Sequence, residues 1–350
     1  MAYTNIDDPS AHFQAFTYSG TSNTAASYTF TGNSNMKPDL VWLKQRGYSD
    51  SHYLFDSSRG VEKAIYSNLT NAEAFHNSSL TSFDTNGFSV GLSNVGSGGG
   101  TYATWNFKAN GGTTSSNTDG ATTSTVQANT DAGFSIVTYT GTGSATTLGH
   151  GLGVSPAVLI VKNRSSALDW AVYHKNLTDA GYVIAINSTD AQVDSGTNRW
   201  NHTDPTSSVF SVGSGQQTNQ SGDSLVAYCF AEKQGYSKFG SYVGNGNADG
   251  PFVYTGFKPA FVMIKNIDNS AGQWYMYDNK RDESNVMEQA LQAQGSNAEI
   301  TTSNKLDFVS NGIKHRGSNV TTNQSGSTHI YMAFAENPFV TSTGIPTTAR

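Results

Sequence analysis

The sequence predicts an all-β protein built from three tandem antiparallel β-sandwich domains with short helices. Two observations lead to this fold class: the composition favours turns, and one unit of strands occurs three times. Only 13% of the 350 residues are charged, 36% are hydrophobic, and 36 glycines stand among many Ser, Thr and Asn residues. Glycine and asparagine tolerate the backbone angles of tight turns, so this composition suits short strands joined by many turns.

The repeat is clearest between the second and third units, where matching residues recur at a constant spacing. One group recurs 103 positions later and another 104 positions later, so a single inserted residue explains the step. A first unit upstream follows the same pattern with different internal loops. The residues at spacing 103 are Tyr139, Gly141, Pro156 and Lys162, and those at spacing 104 are Trp170, Tyr173, Gly222 and Phe230.

The repeat also predicts domain boundaries. Unit 1 is residues 1–108, unit 2 is 133–234 and unit 3 is 235–339, followed by a polar tail at 340–350. Residues 109–132 are almost wholly Gly, Thr, Ser, Asn and Ala, which predicts a linker or an extended strap because such a segment cannot bury a core.

Local patterns predict the elements inside a unit. Apolar runs of strand length at 158–161 and 261–264 predict central strands of a sandwich. Segments 61–68 and 284–294 look helical and lie at equivalent places, so we expect a short helix at each. The glycine-rich stretch at 96–100 predicts a flexible turn, because it lacks the Lys-Ser/Thr of a phosphate-binding loop.

Charge and cysteine content exclude several classes of protein. The formal net charge is −6 and no basic cluster occurs, so we expect no nucleic-acid partner. The single cysteine, Cys229, lies in an apolar run and is expected to be buried, without an intrachain disulfide. The start of the chain lacks a signal-peptide pattern and no apolar run reaches membrane-spanning length. We therefore expect synthesis and folding in a cytoplasm, without membrane insertion.

Candidate chemistry is sparse. The eight histidines show no metal-ligand spacing, and we expect no cofactor; a calcium ion in the oxygen-rich loop at 244–250 is the alternative to a plain turn. The pairs Asp56/Arg59 and Asp278/Arg281 either bind a sugar or, as we favour, tie a strand end to a turn. An enzyme would need two facing carboxylates, for which Glu73 and Glu299 are candidates, yet their repetition favours a structural role.

The best candidate for an exposed contact is the polar stretch around Trp200. Trp170 and Trp274 recur at one position among apolar residues and are expected in the core. Trp200 instead stands between Arg199 and His202 in a polar segment. Aromatic and arginine side chains are enriched in binding interfaces, so we predict these three residues as a binding site.

Six segments carry a resemblance: the opening Met1 to Ser10, Gly133 to Ser144, Gly149 to Gly153, Ile160 to Ser166, Lys238 to Gly246 and Tyr331 to Phe339. They resemble a module common in marine and cyanobacterial phages. Proteins with this module are labelled tail, tail-fibre or virion structural proteins. The resemblance implies laminin-G-like or concanavalin-like jelly rolls for the three units.

Together the residues and the resemblance lead to a non-enzymatic virion protein. The first hypothesis is a tail or fibre component that mediates host-surface adhesion or particle assembly. The second is a capsid-exterior decoration protein, and the third is an envelope polysaccharide depolymerase. The expected partners are other virion proteins and a host-surface glycan. By analogy with virion symmetry, we also expect a homo-oligomer.

Overall fold

The structure is a computed structural model that describes residues 3–21, 24–93, 95–96 and 99–347. Predictions for Met1 and Ala2, for part of the stretch at 96–100, and for the last three residues of the tail lie outside these ranges. Within them the chain forms antiparallel strand pairs and only short helices, so the all-β class is confirmed. The jelly-roll topology and the domain boundaries stay predictions.

Unit 1 begins with a 3₁₀ turn at Pro9–Ala11 and forms a main sheet and a second sheet. The main sheet has the order β1-β9-β3-β4, the second sheet has the order β2-β8-β7, and β5 pairs with β6. The strands are β1 (Phe13–Ser19), β2 (Ala26–Thr29), β3 (Leu40–Gln45), β4 (His52–Asp56), β5 (Lys63–Ala64), β6 (Ala74–Phe75), β7 (Leu80–Asp84), β8 (Gly87–Val90) and β9 (Thr101–Phe107).

Unit 2 repeats this plan with two additional strands at one edge. Its main sheet has the order β10-β11-β12-β19-β14-β15, its second sheet pairs β13 with β18, and β16 pairs with β17. The elements are β10 (Ser115–Asn117), β11 (Ser124–Asn129), β12 (Phe134–Thr140), β13 (Thr146–Gly149), β14 (Val158–Asn163), β15 (Ala171–His174), β16 (Tyr182–Val183), β17 (Val193–Asp194), β18 (Val209–Val212), α1 (Gln216–Asn219) and β19 (Ser224–Phe230).

The segment at 109–132 is not a linker. Its strand β11 pairs with β12 along five residues, and β10 pairs with β11, so the segment extends the main sheet of unit 2. Backbone hydrogen bonds hold it there, and these do not require apolar side chains. Val126, one of its few apolar residues, is buried in the core of unit 2.

Unit 3 joins both of its sheets into one. Strands β20-β27-β22-β23 form the part equivalent to the other main sheets, and β24-β25-β26-β21 continue from it. The elements are β20 (Ser237–Val243), β21 (Phe252–Tyr254), β22 (Phe257–Asn266), β23 (Tyr275–Asp278), β24 (Met287–Gln292), β25 (Ile300–Val309), β26 (Gly312–His315), α2 (Val320–Asn323) and β27 (Thr328–Pro338).

Short helices occur, but the two predicted ones are wrong. Segment 61–68 contains β5, and segment 284–294 contains β24, which pairs with both β23 and β25. Pairing with neighbouring strands overrides the helical propensity of these stretches. The observed helices α1 and α2 lie instead at equivalent places of units 2 and 3, just before the last strand of each.

Each main sheet is buried on both faces. Along β14, Leu159 and Val161 point into a core private to unit 2, whereas Val158 and Ile160 point into a core shared with the other units. Units 1 and 3 have private cores of their own. Because successive strand residues face opposite sides, this double burial explains the continuous apolar runs in the sequence. Cys229 is fully buried in the private core of unit 2, as predicted.

The shared core has a pseudo-threefold axis marked by three equivalent phenylalanines. Phe107, Phe230 and Phe334 occupy the same register position in the three main sheets. Their ring centroids form a triangle with sides of 5.6 Å, 5.9 Å and 5.0 Å. The three units therefore form a closed ring around one hydrophobic centre.

Candidate functional site

The charged residues that the units share lie at the contacts between units. We call the contact of units 1 and 2 the 1–2 seam, and name the 2–3 and 3–1 seams likewise. In the 1–2 seam, Glu73 accepts from Arg59 and from Arg164 of unit 2, each at 2.9 Å. Arg59 also pairs with Asp56, and both are fully buried. Tyr228 of unit 2 donates to the same Asp56 carboxylate at 2.7 Å.

The 3–1 seam repeats this network position for position, with Trp105 in place of Tyr228. Arg281 pairs with Asp278 at 2.5 Å and with Glu299 at 3.1 Å. Arg46 of unit 1 reaches Glu299 at 2.7 Å, and the Trp105 indole of unit 1 donates to Asp278 at 3.1 Å. Opposite charges and hydrogen bonds thus compensate each other inside both seams.

The 2–3 seam replaces the network by neutral residues. His174 stands where Asp56 and Asp278 stand in the other units, as the strand registers show. Leu177 and Ile267, at the positions of the two arginines, are buried in the shared core. The backbone contact is nevertheless kept: Gln192 N donates to the Ile267 carbonyl at 2.9 Å, as Glu73 N does to Arg164 and Glu299 N to Arg46. The shared Asp/Arg pairs are therefore parts of seams.

Burial and ion pairs also shift the pKa values of charged residues in and near the seams. Burial would raise the pKa of Glu73, but the hydrogen bond from Arg164 and the charge of Arg59 lower it below its ordinary value. Burial lowers the pKa of the equivalent lysines Lys44, Lys162 and Lys265 to about 8. Two of these lysines cross a seam: Lys162 donates to the Thr70 carbonyl, and Lys265 to the Thr189 carbonyl.

The predicted contact residues around Trp200 separate into different environments. Trp200 is only 1% exposed and packs edge-on against Tyr173 in the core of unit 2, so the prediction of an exposed aromatic is wrong. Trp200 lies in a mostly polar loop, and the polarity of its neighbours does not show that its own side chain points into the core. His202 is exposed, with its Nε2 3.7 Å from Asp179.

Arg199 lines an open cavity of about 310 Å³ in unit 2. Its half-buried guanidinium makes no hydrogen bond or ion pair within the described part of the chain. Burial lowers its pKa, against the opposing charge of Asp169. His202 and Trp200 do not line this cavity. Its other polar lining residues are Asp169, Asp190, Asp194, Ser195, Asn198 and Gln217.

Three carboxylates and one guanidinium line the cavity, so its lining is negatively charged overall and disfavours an anionic ligand. The half-buried guanidinium of Arg199 has no hydrogen-bond partner in the described part of the chain, and a ligand that accepts hydrogen bonds would offset the cost of its burial. The cavity thus has the chemistry of a binding site.

Comparison with known families then gives the affiliation of the chain. Residues 8–338 match a family described as Domain of unknown function (DUF7483). The chain belongs to the DUF7483 family. One family match spans all three units of this DUF7483 chain, which agrees with a ring that shares its core. A search of curated proteins found no match.

No group of three His, Cys, Asp or Glu residues in the described ranges of this DUF7483 chain is placed to hold a metal ion. In the loop at 244–250, Asn245 and Asn247 bond within their own loop, and Asp249 pairs with Lys314 at 2.6 Å. None of the helices in the described ranges is long and apolar enough to cross a membrane.

Sequence reasoning missed Arg46 and Arg164, which join the units. The signal was present: each follows the repeated lysine of its unit by two positions, as does Ile267 in unit 3. The sequence does not show the ring, however, and so it does not show which residues Arg46 and Arg164 contact.

Proposed function

We propose that this chain is a non-enzymatic structural protein of a phage virion, a tail or fibre component for host-surface adhesion or particle assembly. The observation that carries the proposal is the closed three-unit ring around Phe107, Phe230 and Phe334. A shared core and two charged seams give a rigid body whose loops differ between units. Such a body suits display of binding loops on a particle.

The charged groups that repeat among the units support a scaffold role. Glu73 and Glu299, which a depolymerase would use as acid and base, are each held between two arginines. A general acid needs a raised pKa, whereas that of Glu73 is lowered. This argues against Glu73 as the general acid of a polysaccharide-cleaving enzyme.

Immunogold electron microscopy of the encoding phage tests the proposal. Antibodies against the recombinant chain should label purified particles at the tail or its fibres, and the purified chain should compete with particles for adsorption to host cells. Particles without label would contradict a virion protein. Reducing sugar released from host envelope polysaccharide by the pure chain would contradict the non-enzymatic role.

A capsid-exterior decoration protein is the second candidate, favoured by the pseudo-threefold symmetry of the ring. A body with this symmetry can contact a threefold position of a shell with three similar surfaces. Label on the capsid faces, rather than on the tail, would select this candidate.

A further inference from the structure

Unit 3 presents two aromatic side chains on the outer face of its sheet. Phe252 is 49% exposed and Tyr254 is 52% exposed, while Val253 between them points into the core. They stand two residues apart on β21, the edge strand, so both rings project from the same face. Exposed aromatic pairs of this kind on a sheet face mark contact sites.

The equivalent positions of the other units carry no aromatic residue. Thr29 pairs with Gly87 as Tyr254 pairs with Gly312, which makes Ser27 and Thr29 the counterparts in unit 1. In unit 2 the counterparts are Thr147 and Gly149. Gly149 is covered there, since a Cβ on it would lie 1.6 Å from the side-chain oxygen of Asn117. The aromatic pair is therefore specific to unit 3 and is not required by the fold.

Neighbouring residues hold both rings in place. A Cβ on Gly312 would lie 2.9 Å from Cε2 of Phe252, so the ring of Phe252 lies directly over this glycine. The Tyr254 hydroxyl lies 3.2 Å from that of Tyr3. A fixed ring loses little conformational freedom when a ligand covers it.

The polar groups beside the rings are compensated in pairs. Lys314, directly opposite Phe252, reaches Asp249 at 2.6 Å, and Arg316 reaches Asp307 at 2.6 Å. The local charge is thus balanced, which suits a neutral ligand rather than a polyanion. These groups still offer donors and acceptors to hydroxyls.

We infer that Phe252 and Tyr254 form a stacking platform for a neutral hexopyranose, the C–H face of the sugar lying on the rings and its hydroxyls meeting the paired charges. This inference rests on the proposed adhesive function and names its ligand class. Two rings bury at most about 500 Å² together, short of the roughly 800 Å² per partner of a stable protein interface. The platform thus fits a sugar better than a second copy of the chain.

Saturation-transfer NMR on the full chain tests the inference. The probes are methyl glycosides of glucose, mannose and galactose, with galacturonic acid as the charged comparison. We expect transfer to the ring protons of at least one neutral glycoside. The double variant F252S/Y254T, which carries the residues of unit 1, should bind about tenfold more weakly. Phe75→Ser, which removes a 70% exposed aromatic in unit 1, should bind like the wild type.

Each other result overturns the inference. If no saturation is transferred to any neutral glycoside, or if wild type and F252S/Y254T show equal transfer, Phe252 and Tyr254 do not form the platform. Preference for galacturonic acid refutes a neutral ligand. Self-association that is lost in F252S/Y254T would assign the rings to a second copy. Unchanged thermal unfolding of F252S/Y254T serves as the folding control.

The two proposals fail in different experiments. A chain that labels particles but binds no glycoside keeps its virion role and loses the platform. A chain that binds a glycoside through Phe252 and Tyr254 but is absent from particles keeps the platform and loses the virion role.

Discussion

Arg46 and Glu299 stand 253 positions apart in the chain and form an ion pair at 2.7 Å. The Glu299 amide also donates to the Arg46 carbonyl at 2.8 Å. This contact closes the ring, because it joins the first unit to the third. Glu73 and Arg164 make the same two contacts between the first and second units. One interface design thus serves both neighbouring units and units at opposite ends of the chain.

The buried carboxylate of the 3–1 seam should be essential for stability. Asp278→Asn keeps the shape of the side chain but leaves the buried Arg281 without its nearest countercharge. We expect a loss of about 3 kcal/mol in the free energy of unfolding, measured with urea. Glu288→Gln breaks the exposed pair with Lys305 and should cost less than about 1 kcal/mol. Equal effects of the two substitutions would contradict the role assigned to the seam.

The neutral 2–3 seam should tolerate a buried arginine only together with a carboxylate partner. Ile267→Arg buries an unpaired charge and should cost about 3 kcal/mol. Adding Gln192→Glu supplies the carboxylate that the other seams have, so the double variant should recover part of the loss. A double-mutant cycle by urea unfolding measures this coupling, with Gln192→Glu alone as the control. Additive effects would show that the two positions do not interact.

The sequence predicted the strands and the repeat but not the ring. An apolar run such as 158–161 indicates that both faces of the strand are buried. It does not show whether the second sheet of the same unit or a neighbouring unit covers each face. Leu159 lies in the private core of unit 2 and Ile160 in the shared core, a difference that the apolar run alone does not show. The segment at 109–132 was missed because backbone pairing in β10 and β11 leaves no apolar signal.

The candidate site was predicted only in part. Arg199 lines a cavity, whereas Trp200 is buried beside it in sequence. In a strand, successive side chains point alternately to the core and to solvent, but a polar loop has no such regular pattern. The sequence therefore does not show which of Arg199 and Trp200 faces the core. Phe252 and Tyr254 lay in a short strand whose neighbours are turns. Only the structure shows that they face outward, with Val253 between them in the core.

The central phenylalanines should couple the units into one folding transition. Phe334→Ala removes one corner of the triangle, and with it two of the three ring contacts, and should lower the free energy of unfolding by about 3–5 kcal/mol. Because the core is shared, scanning calorimetry should show a single transition at a lower temperature. Phe308→Ala, in the private core of unit 3, is the matched control and should also shift that single transition. Separate transitions, with only one of them shifted, would indicate independent domains.

Acid should unfold the protein through buried histidines, and His315 should be one of the sensitive groups. Burial, followed by His329 and Lys314, lowers the pKa of His315 from 6.5 to about 3. Neither ring nitrogen has a hydrogen-bond partner within the described chain, and Tyr242 packs 4.5 Å away. Between pH 6.5 and 3 the unfolded chain therefore binds more protons than the folded one, and stability falls as pH falls.

His315→Val should flatten this acid dependence. Units 1 and 2 carry Val90 and Val212 at the same position, so the fold accepts valine there. From pH 6.5 to 4, the variant should lose up to about 3 kcal/mol less stability than the wild type, since each pH unit contributes at most about 1.4 kcal/mol per histidine. Urea unfolding at several pH values measures the difference. His174, with a pKa lowered by burial to about 4, keeps a residual slope in both proteins. Parallel stability curves would mean that the folded protein accommodates a protonated His315, and this result would refute the linkage.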